Sequence, residues 1–286
     1  MSLSVQELEI KSNQYRQTIF TIIKDSGAGH TGGSLSCIDI LNVLYNNVLR
    51  VSQETFADPD RDRYIQSKGH SVEALYTILA DRGFFPLAEL ETINNYRSHF
   101  VGHPTRKVNG IEQNTGALGH GLSIAVGMAI AGKKDQRDYK VYTLLGDGEL
   151  AEGSSWEASM TAAHYKLDNL VVIIDRNGLQ ITGTTEDVMG LEPLIDKFQA
   201  FGYAVRTVDG NDVAALNALF AQAPFEEGKP SLVLAQTVKG KGISFTENAV
   251  VWHHHVPTDG EYALAMQELA QASQKLLEPA PIQESV

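Results

Sequence analysis

Four of the nine histidines in this sequence directly follow a glycine: His30, His70, His103 and His120. From the numbers of glycines and histidines, chance would give about one such pair. Glycine lets the backbone approach a ligand closely, and the imidazole that follows can hydrogen-bond or transfer a proton near neutral pH. A single loop histidine is usually structural, but four at predicted turns favour a shared site for polar chemistry.

A second pattern places oxygen donors after two consecutive predicted strands. Asp147 lies in GDGELAEG (146–153), and Asn177 follows the apolar run NLVVIID. Ligands of open α/β sheets bind at the carboxyl ends of the strands, so these two side chains can converge. Their oxygens suit Mg²⁺ or Ca²⁺ rather than zinc, and Mg²⁺ is usually completed by phosphate oxygens. GDG alone is usually a plain turn, and Asn-Gly alone is usually a type I′ turn. What indicates a metal site is therefore the occurrence of both after consecutive strands of one βαβ unit.

The elements that must position these residues alternate between strand and helix. The pattern predicts an α/β fold with a doubly wound, mostly parallel sheet and helices on both faces, in a single domain over 1–286. A helix beginning near Glu152 would aim its positive end at the metal site, which favours a phosphate. Strands are predicted over 64–68, 139–145, 169–175, 203–208 and 231–238, and helices over 3–25, 37–49, 71–82, 87–97, 123–132, 152–165, 192–201, 212–222 and 260–277.

Composition excludes several classes of protein. The formal net charge is −12, and no Lys/Arg-rich block offers a face for nucleic acid. Cys37 is the single cysteine, so no intrachain disulfide can form and a reducing, cytoplasmic location is expected. No apolar run approaches the roughly 18 residues of a membrane span.

Several longer motifs resemble those of transketolases. GDG followed by Asn resembles the thiamine diphosphate (ThDP) binding signature, and GHTGGSLSCIDIL, SKGH, GHP, TGALGHGLSIAVGMA and NGLQITG extend the likeness over roughly residues 15–257. Only the diphosphate-binding domain is matched, and nothing resembles the pyrimidine-binding and C-terminal domains. The sequence therefore resembles the N-terminal, diphosphate-binding subunit of a split, two-chain transketolase.

The resemblance implies which residues hold the cofactor. Asp147 and Asn177, with the backbone carbonyl of Leu179, would ligate Mg²⁺, with Ca²⁺ or Mn²⁺ as substitutes. Diphosphate oxygens and a water would complete the coordination. Gly116 and Gly148 would let the backbone reach the cofactor. The implied cofactor contacts are His70, Gly116, Leu118, Gly146, Asp147, Gly148, Asn177 and Leu179, with Leu118 against the aminopyrimidine.

The implied catalytic residues are His30, His70, His103, His253 and Glu152. His253 is the first histidine of WHHH and matches the family's WHG motif, whereas His254 stands where the family has glycine. His254 and His255 are expected in a solvent-facing loop. Glu152 is implied at the subunit interface, with a plain helix-terminal acid as the alternative. Lys239 and Lys241 in KGKG could approach phosphate or form a surface turn.

The implied reaction transfers a two-carbon ketol unit from a ketose, phosphorylated or modified, to an aldose. The carboxylate that activates ThDP and most of the sugar-phosphate clamp would come from a partner subunit carrying the pyrimidine-binding and C-terminal domains, in an α₂β₂ assembly. The sequence leaves the sugar open: ordinary, sulfonated or branched.

Three alternatives remain open at this point. The chain could be the alpha subunit of a 2-oxo-acid dehydrogenase, part of a deoxyxylulose-phosphate synthase, or a non-catalytic partner that kept the fold. The histidines of GHTGGS and GHP, together with NGLQITG, favour the transketolase interpretation. The presence of both implied metal ligands disfavours a non-catalytic role.

Overall fold

The computed structural model describes residues 2–278. The tail EPAPIQESV (278–286), which the sequence predicts to be frayed, lies outside the described residues except for Glu278. The strands are β1 (Arg63–Gln66), β2 (Val141–Gly146), β3 (Leu170–Arg176), β4 (Leu179–Gln180), β5 (Gly183–Thr184), β6 (Ala204–Asp209) and β7 (Ser231–Gln236). Five of them form a sheet in the order β1–β2–β3–β7–β6, and every neighbouring pair is parallel. A short antiparallel pair, β4–β5, follows β3.

Helices connect these strands. The α-helices are α1 (Val5–Ser26), α2 (Thr31–Val43), α3 (Val72–Asp81), α4 (His120–Lys134), α5 (Gly153–His164), α6 (Thr185–Met189), α7 (Leu194–Phe201), α8 (Val213–Phe220) and α9 (Asp259–Leu277). Shorter 3₁₀ segments are Gly69–Ser71, Leu87–Thr92, Gly148–Ala151 and Val250–His253, and α2 continues as a π-helical segment over Leu44–Val48.

Apolar side chains cover both faces of the sheet. In β3, Val171 and Ile173 join one core with α1, α2, α3, α8 and α9, whereas Val172 and Ile174 join a second core with α4, α5 and α7. Alternate residues of a strand point to opposite faces, so a continuous apolar run is what a doubly covered parallel strand requires. The predicted fold class is confirmed. The single-domain boundary 1–286 stays a prediction.

Two predicted helices differ from those observed. The helix expected from 37 begins at Thr31, because Gly32 and Gly33 permit close packing: a Cβ at Gly32 would lie 2.9 Å from the Trp252 carbonyl oxygen. The helix expected over 87–97 is only a short 3₁₀ segment, in which Leu90 alone is buried. Positive φ values at Asn94 (60°) and Arg97 (70°) prevent its continuation.

The helix predicted over 152–165 is confirmed as α5, but a 3₁₀ segment that was not predicted precedes it. The 3₁₀ segment Gly148–Ala151 separates GDG from α5, which begins at Gly153. It is this 3₁₀ segment, rather than α5, whose first turn reaches the carboxyl end of β2. Within residues 2–278, no helix combines the length and the hydrophobicity needed to cross a bilayer.

Candidate functional site

A cavity of about 340 Å³ lies where the segments after β1, β2, β3 and β7 meet. All but two of the residues proposed for the site line it: His30, His70, His103, Gly116, Leu118, Asp147, Gly148, Asn177, Leu179 and His253. The two exceptions are Gly146 and Glu152. Residues more than 200 positions apart in the chain thus share one site at the edge where parallel strands end.

Asp147 and Asn177 lie just beyond the paired strands β2 and β3. The backbone N–H of Asp147 donates to the Asp175 carbonyl at 3.2 Å, and the Asp147 carboxylate accepts from the Gly178 N–H at 2.6 Å. The Asn177 side-chain oxygen accepts from the Leu179 N–H at 3.1 Å. Both side chains line the same cavity, as the sequence pattern predicts.

The Asp147 carboxylate is buried, and neighbouring hydrogen-bond donors partly offset the cost of burying its charge. Burial, and next the neighbouring Asp175, raise its pKa, whereas the Gly178 N–H and the Arg176 guanidinium, 3.1 Å away, oppose the rise. Oδ1 of Asp147 accepts from the Gly148 N–H at 2.8 Å, whereas Oδ2 accepts from both the Gly178 N–H and the Arg176 guanidinium, so it is Oδ1 that keeps a lone pair for a cation. A divalent cation at this position would favour the ionised carboxylate.

The donor set fits a hard cation. It combines a carboxylate, a carboxamide oxygen and the Leu179 carbonyl, and this carbonyl already faces a positive group, since Lys239 Nζ donates to it at 3.0 Å. Among residues 2–278 no three His, Cys, Asp or Glu side chains group as a metal site. These oxygens suit Mg²⁺ completed by a ligand's own oxygens.

Five imidazole rings cluster at the cavity. His30 is central, and its ring centroid lies 5.3 Å from that of His70, 6.2 Å from His103, 5.8 Å from His253 and 4.6 Å from His254. The rings of His70 and His253 stack at 5.5 Å. His120, the fourth histidine that follows glycine, is exposed, and its Nδ1 lies 3.1 Å from the Ala117 carbonyl outside the cavity.

Burial and nearby positive charge lower the pKa values of His30, His70 and His253. Burial, followed by His254 and His103, lowers the pKa of His30 to about 4. Burial, followed by Lys239, lowers the pKa of His253 to about 3. The pKa of His70 is held well below its ordinary value by burial and Lys68. Neutral imidazoles can accept or donate a proton to a substrate hydroxyl.

Lys239 fixes the orientation of His253. Its Nζ lies 2.9 Å from His253 Nδ1, and because an ammonium group only donates, Nδ1 accepts and the neutral ring carries its proton on Nε2. Lys239 is 2% exposed, and burial and Lys68 lower its pKa to about 8. The surface-turn alternative is therefore wrong for Lys239, but Lys241 does lie outward, 3.3 Å from Glu247.

A buried ion pair beneath the cavity was not predicted. Lys68 and Asp175 are in contact and almost fully enclosed. Lys68 Nζ also donates to the Gly33 carbonyl at 3.0 Å, and the Asp175 carboxylate accepts from Ser36 Oγ at 2.6 Å. The pair joins the first turns of α2 to the end of β3. The one feature of the sequence that could have indicated it is the lysine of SKGH, which precedes the Gly-His pair of His70.

Glu149 is a second residue that sequence reasoning missed. It lines the cavity, and its carboxylate accepts from the Gly119 N–H at 2.9 Å and the Gly146 N–H at 3.1 Å. It therefore ties the TGALG loop to the end of β2. In that loop Gly116 has φ +126°, and a Cβ there would lie 2.3 Å from His103 Cδ2, so glycine is required.

Glu152, His254 and His255 lie around the site. Glu152 is exposed at the start of α5, outside the cavity. His254 is exposed, as expected, but packs on His30. His255 is half-buried rather than solvent-facing: its carbonyl accepts from Thr31 Oγ1 at 2.8 Å and its ring packs 4.3 Å from that of Trp252.

Comparisons with known proteins agree with this arrangement. Residues 9–278 match the family described as transketolase, thiamine diphosphate binding domain. A protein of Phocaeicola vulgatus, named as one of the subunits of an apulose-4-phosphate transketolase, is 46% identical over 274 residues, covering 96% of this chain and 98% of that protein. A 6-deoxy-6-sulfo-D-fructose transketolase subunit from a Clostridium species is 40% identical, covering 94% of this chain and 98% of that protein.

Solved structures agree as well. A transketolase from Campylobacter jejuni superposes with a TM-score of 0.83 at 30% identity, covering 98% of this chain. This chain spans only 49% of that longer one. The family match and the relatives of equal length together show that the chain belongs to the transketolase family, as its N-terminal, thiamine-diphosphate-binding part.

Proposed function

We propose that this chain is the cofactor-binding subunit of a two-chain, Mg²⁺-dependent transketolase that transfers a two-carbon ketol unit from a ketose to an aldose. The observation that carries the proposal is the convergence of Asp147, Asn177 and the Leu179 carbonyl with the histidine cluster in one cavity. Relatives named as transketolase subunits match over almost their whole length, which supports a subunit role for a chain of this extent.

ThDP and its metal would be held at the carboxyl ends of β2 and β3. Asp147, Asn177 and the Leu179 carbonyl would face the metal, and Gly148 the diphosphate, with Ca²⁺ or Mn²⁺ as substitutes for Mg²⁺. When bound, ThDP supplies a carbon nucleophile that stabilises the negative charge left by carbon–carbon cleavage. Lys68 and Lys239 add positive charge to the cavity wall, which suits a diphosphate.

The histidines would handle the sugar. His30, with its lowered pKa, is neutral and can take a proton from a hydroxyl. His253, held through Nδ1 by Lys239, presents Nε2–H as a donor. His103, on the more exposed side, and His70, stacked on His253, would complete the row of polar contacts along a ketose.

The remaining half of the site would come from a partner subunit with the pyrimidine-binding and C-terminal domains, in a cytoplasmic α₂β₂ assembly. Of the described residues that line the cavity, none is an arginine, so a partner is the expected source of a clamp for a substrate phosphate. Glu152, which is exposed and packs beside Gly119, would face such a partner, and its exposure supports this role.

A branched ketose phosphate is the first substrate to test. Two relatives, 46% and 48% identical, are named as subunits of apulose-4-phosphate transketolases, whereas the relative named for a sulfonated fructose is 40% identical. We therefore propose apulose 4-phosphate as the donor, ahead of sulfonated sugars and of ordinary pentose and heptose phosphates.

Calorimetry followed by reconstitution tests the proposal. The full chain should bind ThDP weakly with MgCl₂ and not with EDTA, and Asp147→Ala should abolish binding, whereas Asp196→Ala on the exposed face of α7 should not change it. Addition of the partner subunit should give ketol transfer from apulose 4-phosphate to glyceraldehyde 3-phosphate, detected by mass spectrometry. Transfer by this chain alone would refute the two-chain assignment, and CO₂ release from pyruvate would favour a 2-oxo-acid dehydrogenase.

A further inference from the structure

Glu73 is a buried acid that the proposed reaction does not use. It lies in the first turn of α3, is 1% exposed, and forms no ion pair with any residue in the described part of the chain. Burial raises the pKa of its carboxyl to about 7, although bonds from Ser34, its own backbone and the His30 N–H oppose the rise. A buried acid is costly, and an apolar side chain could fill the same space at lower cost.

The carboxylate of Glu73 contacts the start of α2. Its Oε1 accepts from the backbone N–H of His30 at 3.2 Å, and its Oε2 accepts from Ser34 Oγ at 2.7 Å. No side chain of α2 caps this helix, whose N-cap residue is His30. Glu73 thus supplies, from a different helix, the acceptor for the N-cap N–H that the third-residue Glu or Gln of a capping box usually provides.

The loop before α2 is shaped around this carboxylate. A Cβ at Gly29 would lie 2.8 Å from Glu73 Oε1 and 2.6 Å from Ile23 Cγ1, so only glycine allows the loop to pass between α1 and α3. His30 itself has φ −114° and ψ 76°, outside the helical and extended regions. The contact with Glu73 is therefore part of what holds His30 in this conformation.

His30 depends on its backbone for orientation. Its Nδ1 is buried and makes no hydrogen bond to any residue that the structure describes. The ring is surrounded by four other imidazoles, which offer packing but no fixed acceptor. The position of the ring is thus set by the main chain at residue 30, which Glu73 holds.

We infer that Glu73 is a positioning residue that fixes the main chain of His30 and thereby aims its imidazole into the cavity. The expected effect of Glu73 on catalysis rests on the proposed function, whereas its contact with His30 is independent of that function. A displacement of about 1 Å at a reacting group can cost about 100-fold in rate. Loss of Glu73 should therefore lower ketose turnover without weakening the binding of ThDP, because Glu73 contacts neither Asp147 nor Asn177.

The first test needs neither partner nor substrate. In the full chain with ¹⁵N-labelled histidine, Glu73→Ala should shift or broaden the imidazole signals of His30, whereas Glu73→Gln, which keeps an oxygen for the His30 N–H, should restore them. Asn42→Ala is the matched control, since Asn42 is a buried polar residue of α2, the helix that His30 caps, and bonds to Leu8, Ser12 and Asn46 instead. Unchanged His30 signals in Glu73→Ala, or equal shifts in Asn42→Ala, would overturn the inference.

The second test uses the enzyme assembled with its partner subunit. Glu73→Ala should lower kcat/KM for apulose 4-phosphate by about 10- to 100-fold, with the affinity for ThDP within about twofold of wild type. In a His30→Ala background the same change should cost less than about twofold, because residues acting through one another are non-additive. An equal loss in both backgrounds would contradict the inference. If the wild-type assembly transfers nothing, the proposed function fails, and the imidazole signals still decide the role of Glu73.

Discussion

The ammonium group of Lys239 lies 2.9 Å from Nδ1 of His253 and 3.0 Å from the carbonyl oxygen of Leu179. One buried cation thus connects the histidine cluster with the proposed metal site. After burial itself, its charge is the largest contribution that lowers the pKa of His253.

Replacement of Lys239 should therefore change the titration of His253. Lys239→Met removes the positive charge and the donor to Nδ1, so the pKa of His253 should rise from about 3 toward its ordinary value. Histidine titration by NMR measures the change. Lys241→Met, which removes a lysine paired at the surface with Glu247, should leave the pKa of His253 unchanged. An equal response to both substitutions would show that the local contact is not the cause.

His254 should influence His30 in a similar way. Its exposed ring packs 4.6 Å from that of His30, and after burial it makes the largest contribution to lowering the pKa of His30. His254→Ala should expose His30 and raise its pKa above about 4. His164→Ala, an exposed histidine on α5, is the control, and a His30 titration that is identical in both variants would refute the coupling.

Protein stability should fall in acid because His30 and His253 are neutral when folded. Their folded pKa values, about 4 and about 3, lie below the ordinary value of 6.5, so the unfolded chain binds more protons in this range. Their contribution is fully present above pH 6.5 and is lost as the pH falls through the folded pKa values. Glu73, with its pKa raised to about 7, contributes in the opposite direction.

A single substitution isolates the contribution of His30. Urea unfolding between pH 7 and pH 4.5 should show a shallower loss of the free energy of unfolding in His30→Gln than in wild type. His164→Gln should keep the wild-type slope. A His30→Gln slope that equals the wild-type slope would mean that His30 titrates alike in the folded and unfolded chain.

The buried pair Lys68–Asp175 should be the most sensitive ionic contact to disrupt. Lys68→Met leaves the Asp175 charge enclosed without its partner, which typically costs about 3–5 kcal/mol of stability. The half-exposed pair Lys133–Asp168 offers the contrast: Lys133→Met should cost less than about 1 kcal/mol. Urea unfolding at pH 7 measures both free energies, and similar small losses would show that Asp175 finds another way to be satisfied.

Local sequence patterns predicted the strands of the sheet and the convergence of Asp147 and Asn177, because both depend on the geometry of parallel strands. The five residues from Leu170 to Ile174 are all apolar because β3 is covered on both faces, and the residue that follows a parallel strand must lie at its carboxyl edge. This rule places Asp147 beside Asn177 without knowledge of any distant contact. The resemblance to transketolases then added the histidines, which pattern alone identified only as a group.

Contacts between distant segments could not be predicted in this way. Nothing near Lys68 in sequence indicates Asp175 as its partner, and nothing near Glu73 indicates the N–H of His30. The glycines of GAGHTGGS suggested a long break, but Gly32 and Gly33 lie inside α2 because Trp252 and His70 pack against them. In each case the local structure depends on a residue that is distant in the sequence and close only in the folded protein.

His30 and His253 flank one cavity with their ring centroids 5.8 Å apart, although they lie near opposite ends of the chain. During translation, therefore, the ribosome must pass residue 253 before both His30 and His253 can line the cavity. A nascent or prematurely terminated product ending before residue 253 would still carry Asp147 and Asn177. It would lack one side of the pocket in which they work.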